Sequence, residues 1–590
     1  MNTQAITGRH RGTLAQGKAL IRLAVIACGV LCGGCEKWDT DEGLIEIRSE
    51  QMTGGHSKVR LDGASATWLD GDIIRINGEN VDVVRQDGRA YISYATPQSV
   101  NRAVYPASLN SGSLGGDNIT VAFPSYYHYR ADNTGHQILE LPMAARSADS
   151  EPLQFRHLTG ALYVTVTNNA TVSLTLQSVT VQSSRYQLSG SRSIDFSDLE
   201  SIGSTAAGNA DDRKVTLLFD TGYTLAANAS LKVMLPVMPV GDDHNFTIQV
   251  RTSSAGQAAF YLNEQTQSSG SGHALERNQL GYAPIAADAT TERIPLDQID
   301  GNYVVRTPLE FSAMIKMIDA GNGNTSTYSI LENIDMDGKS IFPISKSPLF
   351  AGTIDGNGHT VSNLKIKSKL MSTDYICALF EQTAASTRIQ NITFDNLMME
   401  HTGLITNKLI IGGLIASMEN DSTLYLNNCT IHYGSVNIDS TAGSIYFGGL
   451  IGEVKKIEIT NCHVTNSTTT MKGRSLWWGG LIASIGSSVN TVVTSSSWTG
   501  TTTIRATNNI LLGGLIGNKA RGTLTATGCE VTGRFEATSS GAKKFIGSLI
   551  GEYANPGTIS TNNITTSAFT ASLDGNELND ISFFGSNLAK

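Results

Sequence analysis

A pentad, Gly-Gly-Leu-Ile followed by Gly or Ala, recurs in the last third of the chain at nearly constant spacing. Four full copies start at Gly412, Gly448, Gly479 and Gly513, a degraded copy starts at Gly547, and a more distant one starts at Cys377. The leucines of the six copies (Leu379, Leu414, Leu450, Leu481, Leu515 and Leu549) are 35, 36, 31, 34 and 34 residues apart. A fixed period in this range is typical of stacked repeats, in which each unit buries its apolar face against its neighbours. The C-terminal region is therefore predicted to be a solenoid.

A second block follows each full pentad and indicates which kind of solenoid this is. The blocks are short alternating runs rich in Val, Ile and Thr, at Leu424–Ile431, Ile457–Val464, Val492–Trp498 and Leu524–Val531. Such runs are strand signals. We therefore predict a right-handed parallel β-helix, with glycines for positive φ or close backbone approach and one residue of each Leu-Ile pair pointing inward. A leucine-rich horseshoe is the alternative, but its repeats are shorter and centre on a different asparagine pattern.

The start of this region carries a helix signal. Thr307-Pro308-Leu309-Glu310 reads as a capping box with proline at the first helical position. A helix of about three turns here would close the open end of a strand stack. With the pentads and the run Leu349–Val361, the region from Thr307 to Phe584 resembles the GLUG-motif repeats of bacterial surface proteins.

The N-terminus carries a short apolar run with cysteines in or just after it. Basic residues precede the run from Leu23 to Leu31, which is too short to span a bilayer and indicates a secretory signal. A signal that ends in cysteine resembles that of a bacterial lipoprotein, in which this cysteine is acylated. We assign residues 1–34 as signal peptide, Cys35 as the lipid anchor and 35–42 as an acidic tether. Cys28 fits the local lipobox pattern better but would cut the apolar run short. The acidic residues after Cys35 favour a surface-exposed outer-membrane lipoprotein of a Gram-negative bacterium, and a secreted soluble protein is the alternative.

The composition limits the remaining possibilities. A chain of 590 residues should contain two or more domains. Its formal net charge of −9, with 16% charged residues, provides no basic surface for nucleic acid. Outside the signal region the cysteines are Cys377, Cys429, Cys462 and Cys529, and the last three share a register that Ser496 or Ser497 fills in the remaining repeat. A straight buried ladder explains this better than zinc, whose ligands must converge.

The middle of the chain changes character. Between Gly43 and Pro284, strand-like runs alternate apolar and polar residues between turns, as in β-sandwiches. Five short motifs occur in order here, around Trp68-Leu-Asp-Gly-Asp72, Tyr105-Pro106, Leu141-Pro-Met143, Phe155-Arg-His157 and Leu235-Pro-Val-Met-Pro239. This series resembles the fimbrillin-like family of lipoprotein pilins and accessory subunits. The resemblance implies two tandem β-sandwiches, at 43–150 and 151–284, joined by a linker at 285–304 to the β-helix at 305–590.

Maturation by proteolysis is a second implication of the resemblance. Pilins of that family are cleaved after a basic residue near the start of the first domain, which opens a groove for a neighbour's strand. Arg48 is the position that matches, and the alternative is a solvated arginine on an edge strand. Shaft pilins donate a C-terminal strand, whereas a solenoid occupies the C-terminus here, which argues against a shaft subunit.

Residues that could support catalysis or metal binding are few. Asp355 and His359 lie in Asp-Gly-Asn-Gly-His, and Asp335 and Asp337 lie nearby, but both strings are ordinary turn sequences. Asp70 and Asp72 could chelate calcium, although a hairpin turn is the simpler interpretation. We therefore predict no catalytic residues, no metal site and no cofactor.

Aromatic residues mark the position just before the pentad in two repeats. Tyr446 and Phe447 in one repeat are equivalent to Trp477 and Trp478 in the next. Stacking between repeats is the simpler interpretation, but these are the first candidates for contact with a glycan. Asp421-Ser-Thr and Asp439-Ser-Thr resemble O-glycosylation acceptor motifs of the same bacteria.

The sequence thus predicts an all-β surface lipoprotein: two β-sandwiches followed by a parallel β-helix that contacts a ligand. The predicted function is a non-enzymatic adhesin or accessory fimbrial subunit. Its partners would be outer-membrane lipid, fimbrial subunits, and a host glycan or protein. One alternative is a surface-tethered β-helical polysaccharide lyase or hydrolase, and another is a purely structural envelope protein with no ligand.

Overall fold

The structure is a computed structural model of the chain. It describes residues 44–54, 68–94, 98–131, 137–148, 151–254, 260–267, 274–290, 296–344, 349–384, 386–401, 404–418, 423–439, 443–486, 490–519, 522–553 and 558–588. The predicted signal peptide, the tether and Cys35 lie outside the described residues. Within the described residues, no helix has the length and apolar character needed to cross a bilayer.

The first unit is a β-barrel built from short strands. Its strands, with those of its loops, are β1 (Leu44–Ser49), β2 (Thr53–Gly54), β3 (Ile73–Ile76), β4 (Glu79–Gln86), β5 (Arg89–Ser93), β6 (Val100–Tyr105), β7 (Asn118–Phe123), β8 (Tyr126–His128), β9 (Arg130–Ala131), β10 (Gln137–Ile138), β11 (Met143–Ala148) and β12 (Leu153–His157). A 3-10 turn spans Ala107–Leu109. The strand order β1-β12-β11-β6-β3-β4-β5 closes on itself, so the two layers of this sandwich join at both edges.

The barrel core gathers the motifs that characterised this region of the sequence. The Trp68 ring makes edge contacts with Tyr105 at 4.9 Å and with Phe155 at 5.0 Å between ring centroids. Met143 is buried in the same cluster. The motifs are thus the contributions of separate strands to one packed centre.

The second unit is a two-layer sandwich. Its own strands are β13 (Gly160–Asn168), β14 (Leu174–Ser183), β15 (Gly190–Asp195), β16 (Lys214–Leu225), β17 (Ser230–Val237), β18 (Phe246–Ser253), β19 (Phe260–Gln267) and β20 (Gln279–Ala287), with a 3-10 turn at Asp211–Arg213. One sheet has the order β17-β13-β20-β2 and the other β19-β18-β14-β16-β8. Alternating residues of both sheets fill the core between them.

The two units are interleaved, and the predicted boundary between residues 150 and 151 is too early. Strand β12 completes the barrel by pairing with β1 and β11. Conversely, β7 pairs with β15 and β8 with β16 of the second unit. The pairings of β7 with β15 and of β8 with β16 join residues about 70 to 90 positions apart, and local sequence patterns carry no signal of them. A small core that includes Leu114, Phe123, Phe196 and Met238 lies between the units and fixes them together.

The remainder of the chain is a β-solenoid of about six turns. Helix α1 (Pro308–Asp319) follows the first two strands of this solenoid. Its strands are β21 (Gln298–Ile299), β22 (Asn302–Val305), β23 (Thr327–Ile330), β24 (Ile334–Asp335), β25 (Ser340–Ile341), β26 (Thr353–Asp355), β27 (Thr360–Ser362), β28 (Lys365–Lys367), β29 (Lys369–Met371), β30 (Asp374–Cys377), β31 (Phe380–Thr383), β32 (Arg388–Glu400), β33 (Lys408–Gly412), β34 (Ile415–Met418), β35 (Leu424–Asp439), β36 (Ser444–Gly448), β37 (Ile451–Val454), β38 (Ile457–Thr460), β39 (His463–Gly473), β40 (Ser475–Gly479), β41 (Ile482–Ile485), β42 (Thr491–Thr494), β43 (Ser497–Ala506), β44 (Ile510–Gly513), β45 (Ile516–Lys519), β46 (Leu524–Thr527), β47 (Glu530–Ser539), β48 (Lys544–Gly547), β49 (Ile550–Tyr553), β50 (Ile559–Asn562), β51 (Phe569–Leu573), β52 (Asn576–Glu577) and β53 (Ser586–Asn587).

Each turn of the solenoid contributes strands to three sheets. A wide sheet of 19 strands contains the Val-, Ile- and Thr-rich blocks, and sheets of eight and six strands contain the two halves of each pentad. Within the stack, the strands of successive turns pair in parallel, as β36 does with β40 and β39 with β43. The parallel β-helix prediction is confirmed. Strand β20 runs to Ala287 and β21 begins at Gln298, so ordered elements enter the predicted linker from both ends.

The two glycines of each full pentad allow the backbone to pass very close to other backbone atoms of the solenoid. A Cβ at the first glycine, as at Gly448, would collide with the carbonyl oxygen of Ile451 in its own turn. A Cβ at the second, as at Gly480, would collide with the carbonyl oxygen of Gly514 in the next turn and with Trp498. Both residues of the Leu-Ile pair are buried, for example Leu450 and Ile451, although one inward residue was predicted. The difference arises because the chain bends there and the corner itself lies inside the core.

Helix α1 packs its apolar side chains into the N-terminal end of the solenoid core. The Thr307 side chain accepts a hydrogen bond from the Glu310 backbone N–H, and Pro308 is the first helical residue. The apolar side chains of α1, such as Phe311 and Met314, belong to the same continuous core as the turns.

A buried charge cluster ties the helix to the second unit. Arg306 donates to Asp297 and to Glu310, both at 2.7 Å, and Arg251 of strand β18 contacts Asp297 at 2.6 Å. Although burial disfavours the charged carboxylate, Arg251 and Arg306 together lower the pKa of Asp297 to about 2. The Tyr126 hydroxyl donates to Glu332 at 2.5 Å across the same junction.

Substituting Gly480 by Ala should destabilise the solenoid by about 3 kcal/mol or more, because the added methyl meets backbone on the next turn. Gly486→Ala is the matched control, since a Cβ there meets nothing within 4 Å. Urea unfolding followed by circular dichroism measures the difference. Equal midpoints for the two variants would contradict the close-approach account.

Substituting Asp297 by Asn should lower the free energy of unfolding by about 2–3 kcal/mol at pH 7, because the buried Arg306 and the partly buried Arg251 lose their shared carboxylate. A carboxyl with a lowered pKa stabilises the fold above its unfolded pKa near 4, and loses this effect as pH falls towards about 2. The difference between wild type and variant in thermal unfolding should therefore shrink from pH 4 to pH 2. Asp300→Asn, on an exposed turn, is the control.

Candidate ligand-contact surface of the solenoid

The outer face of the wide sheet presents regular columns of threonine. In strands β39, β43 and β47 the register pairs Thr465 with Thr499 and Thr499 with Thr532. Buried residues alternate with these, as Trp498 does with Thr499, so the hydroxyls face outward. We call this surface the threonine face; it comprises Thr460, Thr465, Thr470, Thr494, Thr499, Thr503, Thr527 and Thr532.

The geometry of the threonine face follows from the stacking. Neighbouring parallel strands lie about 4.8 Å apart, so each column repeats a hydroxyl and a methyl at that interval. Charges flank the face: Asp395 and His432 pair at 3.0 Å in earlier turns, and Lys472 and Asp439 pair at 3.2 Å along one side. Residues with positive φ, Asn461, Ser495 and Gly528, separate the column of Thr460, Thr494 and Thr527 from the next column. Each column of hydroxyls can donate and accept hydrogen bonds along an extended polar chain.

Asparagine ladders fix the turns beside this face. The side chain of Asn461 donates to Asn428 at 2.9 Å, Asn428 donates to Asn391 at 3.2 Å, and Asn391 donates to Asp355 at 3.1 Å. The three asparagines have positive φ, which Asn tolerates better than most residues. A second ladder runs from Asn396 through Asn363 to Asp335, at 2.6 and 2.8 Å.

The acidic residues considered for catalysis start these ladders. The Asp355 carboxylate accepts hydrogen bonds from Asn357, Gln390 and Asn391. That of Asp335 accepts from the Asp337 N–H and from Asn363, and the Asn363 bond lowers the pKa of Asp335. Each carboxylate therefore stabilises its own turn and accepts the first hydrogen bond of an asparagine ladder. Among the described residues, no three His, Cys, Asp or Glu side chains are grouped so that they could hold a metal ion.

The calcium candidates in the barrel also stabilise a turn. Asp72 accepts from the Leu69 N–H at 2.8 Å and from the Tyr105 hydroxyl at 3.1 Å, and Asp70 accepts from the Arg85 N–H at 2.6 Å. An open depression of about 530 Å³ beside this turn is lined by Asp72, Arg75, Tyr105 and Glu140 among others.

The four aromatic residues predicted as ligand contacts divide into two pairs. Phe447 and Trp478 are 1% and 0% exposed and lie in the core, where Trp478 packs edge-on against Trp498 at 4.8 Å. They cannot touch an external ligand, and that part of the prediction is wrong. Because neighbouring residues of a strand face opposite sides, only Tyr446 and Trp477 point outward.

The two outward-facing aromatic rings stack on each other. The rings of Tyr446 and Trp477 are 4.4 Å apart and nearly parallel, at 5°. The Lys408 ammonium lies 5.2 Å from the centre of the Tyr446 ring, and Leu511 is the register partner of Trp477 on the far side. Burial raises the pKa of Tyr446 to about 12, with Glu453 and Asp374 adding to the effect. Because neighbours cover both outer ring faces, the pair stabilises the stack and offers a ligand mainly its ring edges.

Another aromatic pair, which the sequence did not single out, lies on the second unit. Tyr163 and Tyr282 are register partners on β13 and β20, with ring centroids 5.8 Å apart and planes at 11°. Tyr282 is 44% exposed. The sequence signal was a tyrosine at an outward strand position, but their adjacency depends on a parallel pairing between residues 119 positions apart (282 − 163).

Arg48 lies on a strand with neighbours on both sides. Strand β1 pairs with β5 and with β12, so it is not the edge strand of the alternative interpretation. The Arg48 side chain is exposed and pairs with Glu46 at 2.9 Å, which raises the pKa of the arginine. Of the two possible glycosylation motifs, Asp421-Ser422 and Ser440-Thr441 lie outside the described residues.

The chain shares distant structural similarity with several solved proteins. No family model and no curated protein matches the chain. Among solved structures, a Bacteroides ovatus protein provisionally named an immunoglobulin A1 protease is similar, with 15% identity and a TM-score of 0.35 over 47% of this chain and 79% of that one.

Two further similar structures carry provisional names as cell adhesion proteins. One from Bacteroides ovatus has 13% identity and a TM-score of 0.27, covering 43% of this chain and 95% of that one. One from Bacteroides uniformis has 12% identity and a TM-score of 0.24, covering 42% and 95%. At TM-scores below 0.5, these likenesses carry no argument about what this chain does.

Proposed function

We propose that this protein is a non-enzymatic surface adhesin, held at the outer membrane of a Gram-negative bacterium through an acyl chain on Cys35. In this proposal the two β-units form a base and the solenoid presents the threonine face to an extended glycan or protein ligand. The single observation that carries the proposal is the threonine face: outward hydroxyls repeated in register on consecutive turns.

The rigid connection of the parts supports this role. A continuous core runs from helix α1 through the turns, and the charge cluster around Asp297 and Arg306 ties that helix to the second unit. The first and second units share the small core around Phe123 and Met238. A pre-organised surface loses little conformational freedom when a ligand binds, so even a weakly charged face can hold an extended partner.

The position of β1 supports an anchored chain. Cleavage after Arg48 would remove most of a strand that is paired on both edges, so that β5 would keep only β4 and β12 only β11 as a full partner. A protease needs its substrate strand extended and unpaired, whereas β1 is held in the closed barrel. We therefore propose that β1 stays in the mature protein. Accessory fimbrial assembly is the close variant of this function, and co-purification with pilin from cells would indicate it.

Binding to an array of glycans and matrix proteins tests the adhesin. The full chain should bind at least one extended ligand, and Thr499→Arg should weaken that binding about tenfold or more by placing a bulky charge in the middle of the face. Thr120→Arg, at an exposed threonine on β7, is the matched control and should bind as wild type. Equal binding by both variants would contradict the threonine face as the contact surface, and no binding at all would contradict the adhesin.

The N-terminus of protein isolated from cells tests the anchored form. We expect a lipidated Cys35 followed without a break by the residues of β1. An N-terminus at Ser49, abolished by Arg48→Gln and retained in the control Arg89→Gln, would instead establish cleavage. Arg89 is a suitable control because it is also exposed and also contacts Glu46.

A further inference from the structure

Two buried cysteines occupy the same position on consecutive turns of the solenoid. The pairs Asn427 with Thr460 and Thr430 with His463 bracket them, so Cys429 lies directly opposite Cys462. Both side chains are 0% exposed. All four cysteines among the described residues are reduced in the structure.

The position of Cys429 and Cys462 forms a column along the solenoid, and in the next turn a serine interrupts the cysteines of this column. Ser496 follows Cys462, whose backbone N–H donates to the Ser496 hydroxyl at 3.0 Å, and Cys529 follows one turn later. Cys529 is therefore separated from Cys462 by a whole turn. Cys377 lies elsewhere in the core, with its sulfur 3.6 Å from that of Met399. The column thus contains one adjacent pair of cysteines and one isolated cysteine.

The spacing of the adjacent pair suits a disulfide. Neighbouring parallel strands are about 4.8 Å apart, and disulfide-linked residues have Cα atoms about 4.4–6.8 Å apart. Each thiol now donates a weak hydrogen bond to a backbone carbonyl, Cys429 to Ile389 at 3.2 Å and Cys462 to Thr460 at 3.3 Å. Turning the two side chains towards each other gives up only these weak bonds.

We propose that Cys429 and Cys462 form a disulfide that clamps two consecutive turns when the chain folds in an oxidising compartment. One cysteine thiolate attacks an external disulfide, such as that of a dithiol oxidase, and one sulfur of that disulfide leaves as a thiol. The second thiolate then displaces the other sulfur from the mixed disulfide. The protein loses two protons and two electrons, and the external disulfide is reduced to two thiols.

The clamp closes before the turns are fully packed, because both sulfurs are inaccessible in the folded solenoid. It links positions that are 33 residues apart (462 − 429), with a complete pentad between them. Thr460 is two residues from Cys462, so the link also fixes the register of the threonine face at that turn. This inference rests on the proposed export of the protein, because export would bring the chain into an oxidising compartment.

Tryptic peptide mapping without reduction tests the link. The full chain is unfolded, refolded with a mixture of oxidised and reduced glutathione, then denatured, alkylated and digested. Lysines 455 and 456 lie between the two cysteines, so the link should join peptide 409–455 to peptide 457–472. Cys377 and Cys529 should be alkylated in peptides 370–388 and 522–534. Adding a reductant before alkylation should separate the joined peptides.

Two variants control for folding and for the geometry of the column. Cys462→Ser should fold, because Ser496 already occupies this column, and it should abolish the link. Ser496→Cys should bring Cys529 into disulfide linkage for the first time. Refolded wild-type protein with Cys429 and Cys462 both alkylated, or with Cys429 linked to a cysteine other than Cys462, would overturn the proposal. The refolding does not depend on export, so mapping of protein from cells tests export separately.

Discussion

The architecture of the solenoid depends on backbone passing against backbone at the pentads. At Gly448 and Gly480 there is no space for a side chain, because carbonyl oxygens of the same turn and of the next turn occupy it. This close approach brings the two smaller sheets together and holds one turn at a fixed height above another. The inner columns, the asparagine ladders and the paired cysteines all inherit their register from this contact. The degraded last copy has Ser548 at the second glycine position, where the chain that follows is the C-terminal segment rather than another turn.

A stack of parallel strands leaves unpaired edges at both ends, and here an antiparallel strand flanks the parallel series at each end. At the N-terminal end an amphipathic helix covers the core, and its first turn is held by buried charges shared with the second unit. Burying an ion cluster costs desolvation free energy, so its contribution is geometric specificity as much as stability. At the C-terminal end, β52 and β53 fold back antiparallel on the stack. Antiparallel pairing ends the parallel series and blocks its continuation into a second chain.

Local sequence signals predicted much of this fold because the solenoid is built from local units. The pentad period, the capping box at Thr307 and the position of the cysteine column each depend on residues within one or two turns. The short motifs of the middle region also have a physical role, since Trp68, Tyr105 and Phe155 meet in one barrel core. Long-range pairing was beyond such signals. The pairing of β8 with β16 and the closure of the barrel by β12 join distant segments, so the boundary between the units could not be located.

The candidate site shows the same limit at the level of single residues. Two aromatic residues in succession on a strand must face opposite sides, but the sequence does not say which of them faces the core. Phe447 and Trp478 face inward, and even the outward pair, Tyr446 and Trp477, is covered on its ring faces by neighbouring turns. In-register stacking places equivalent side chains of successive turns so close together that large rings cover one another. Small side chains leave their polar groups open to solvent. Threonine suits such a strand because its Cβ is branched, and its hydroxyl remains exposed. The repeat therefore favours threonine over aromatic residues at its outward positions.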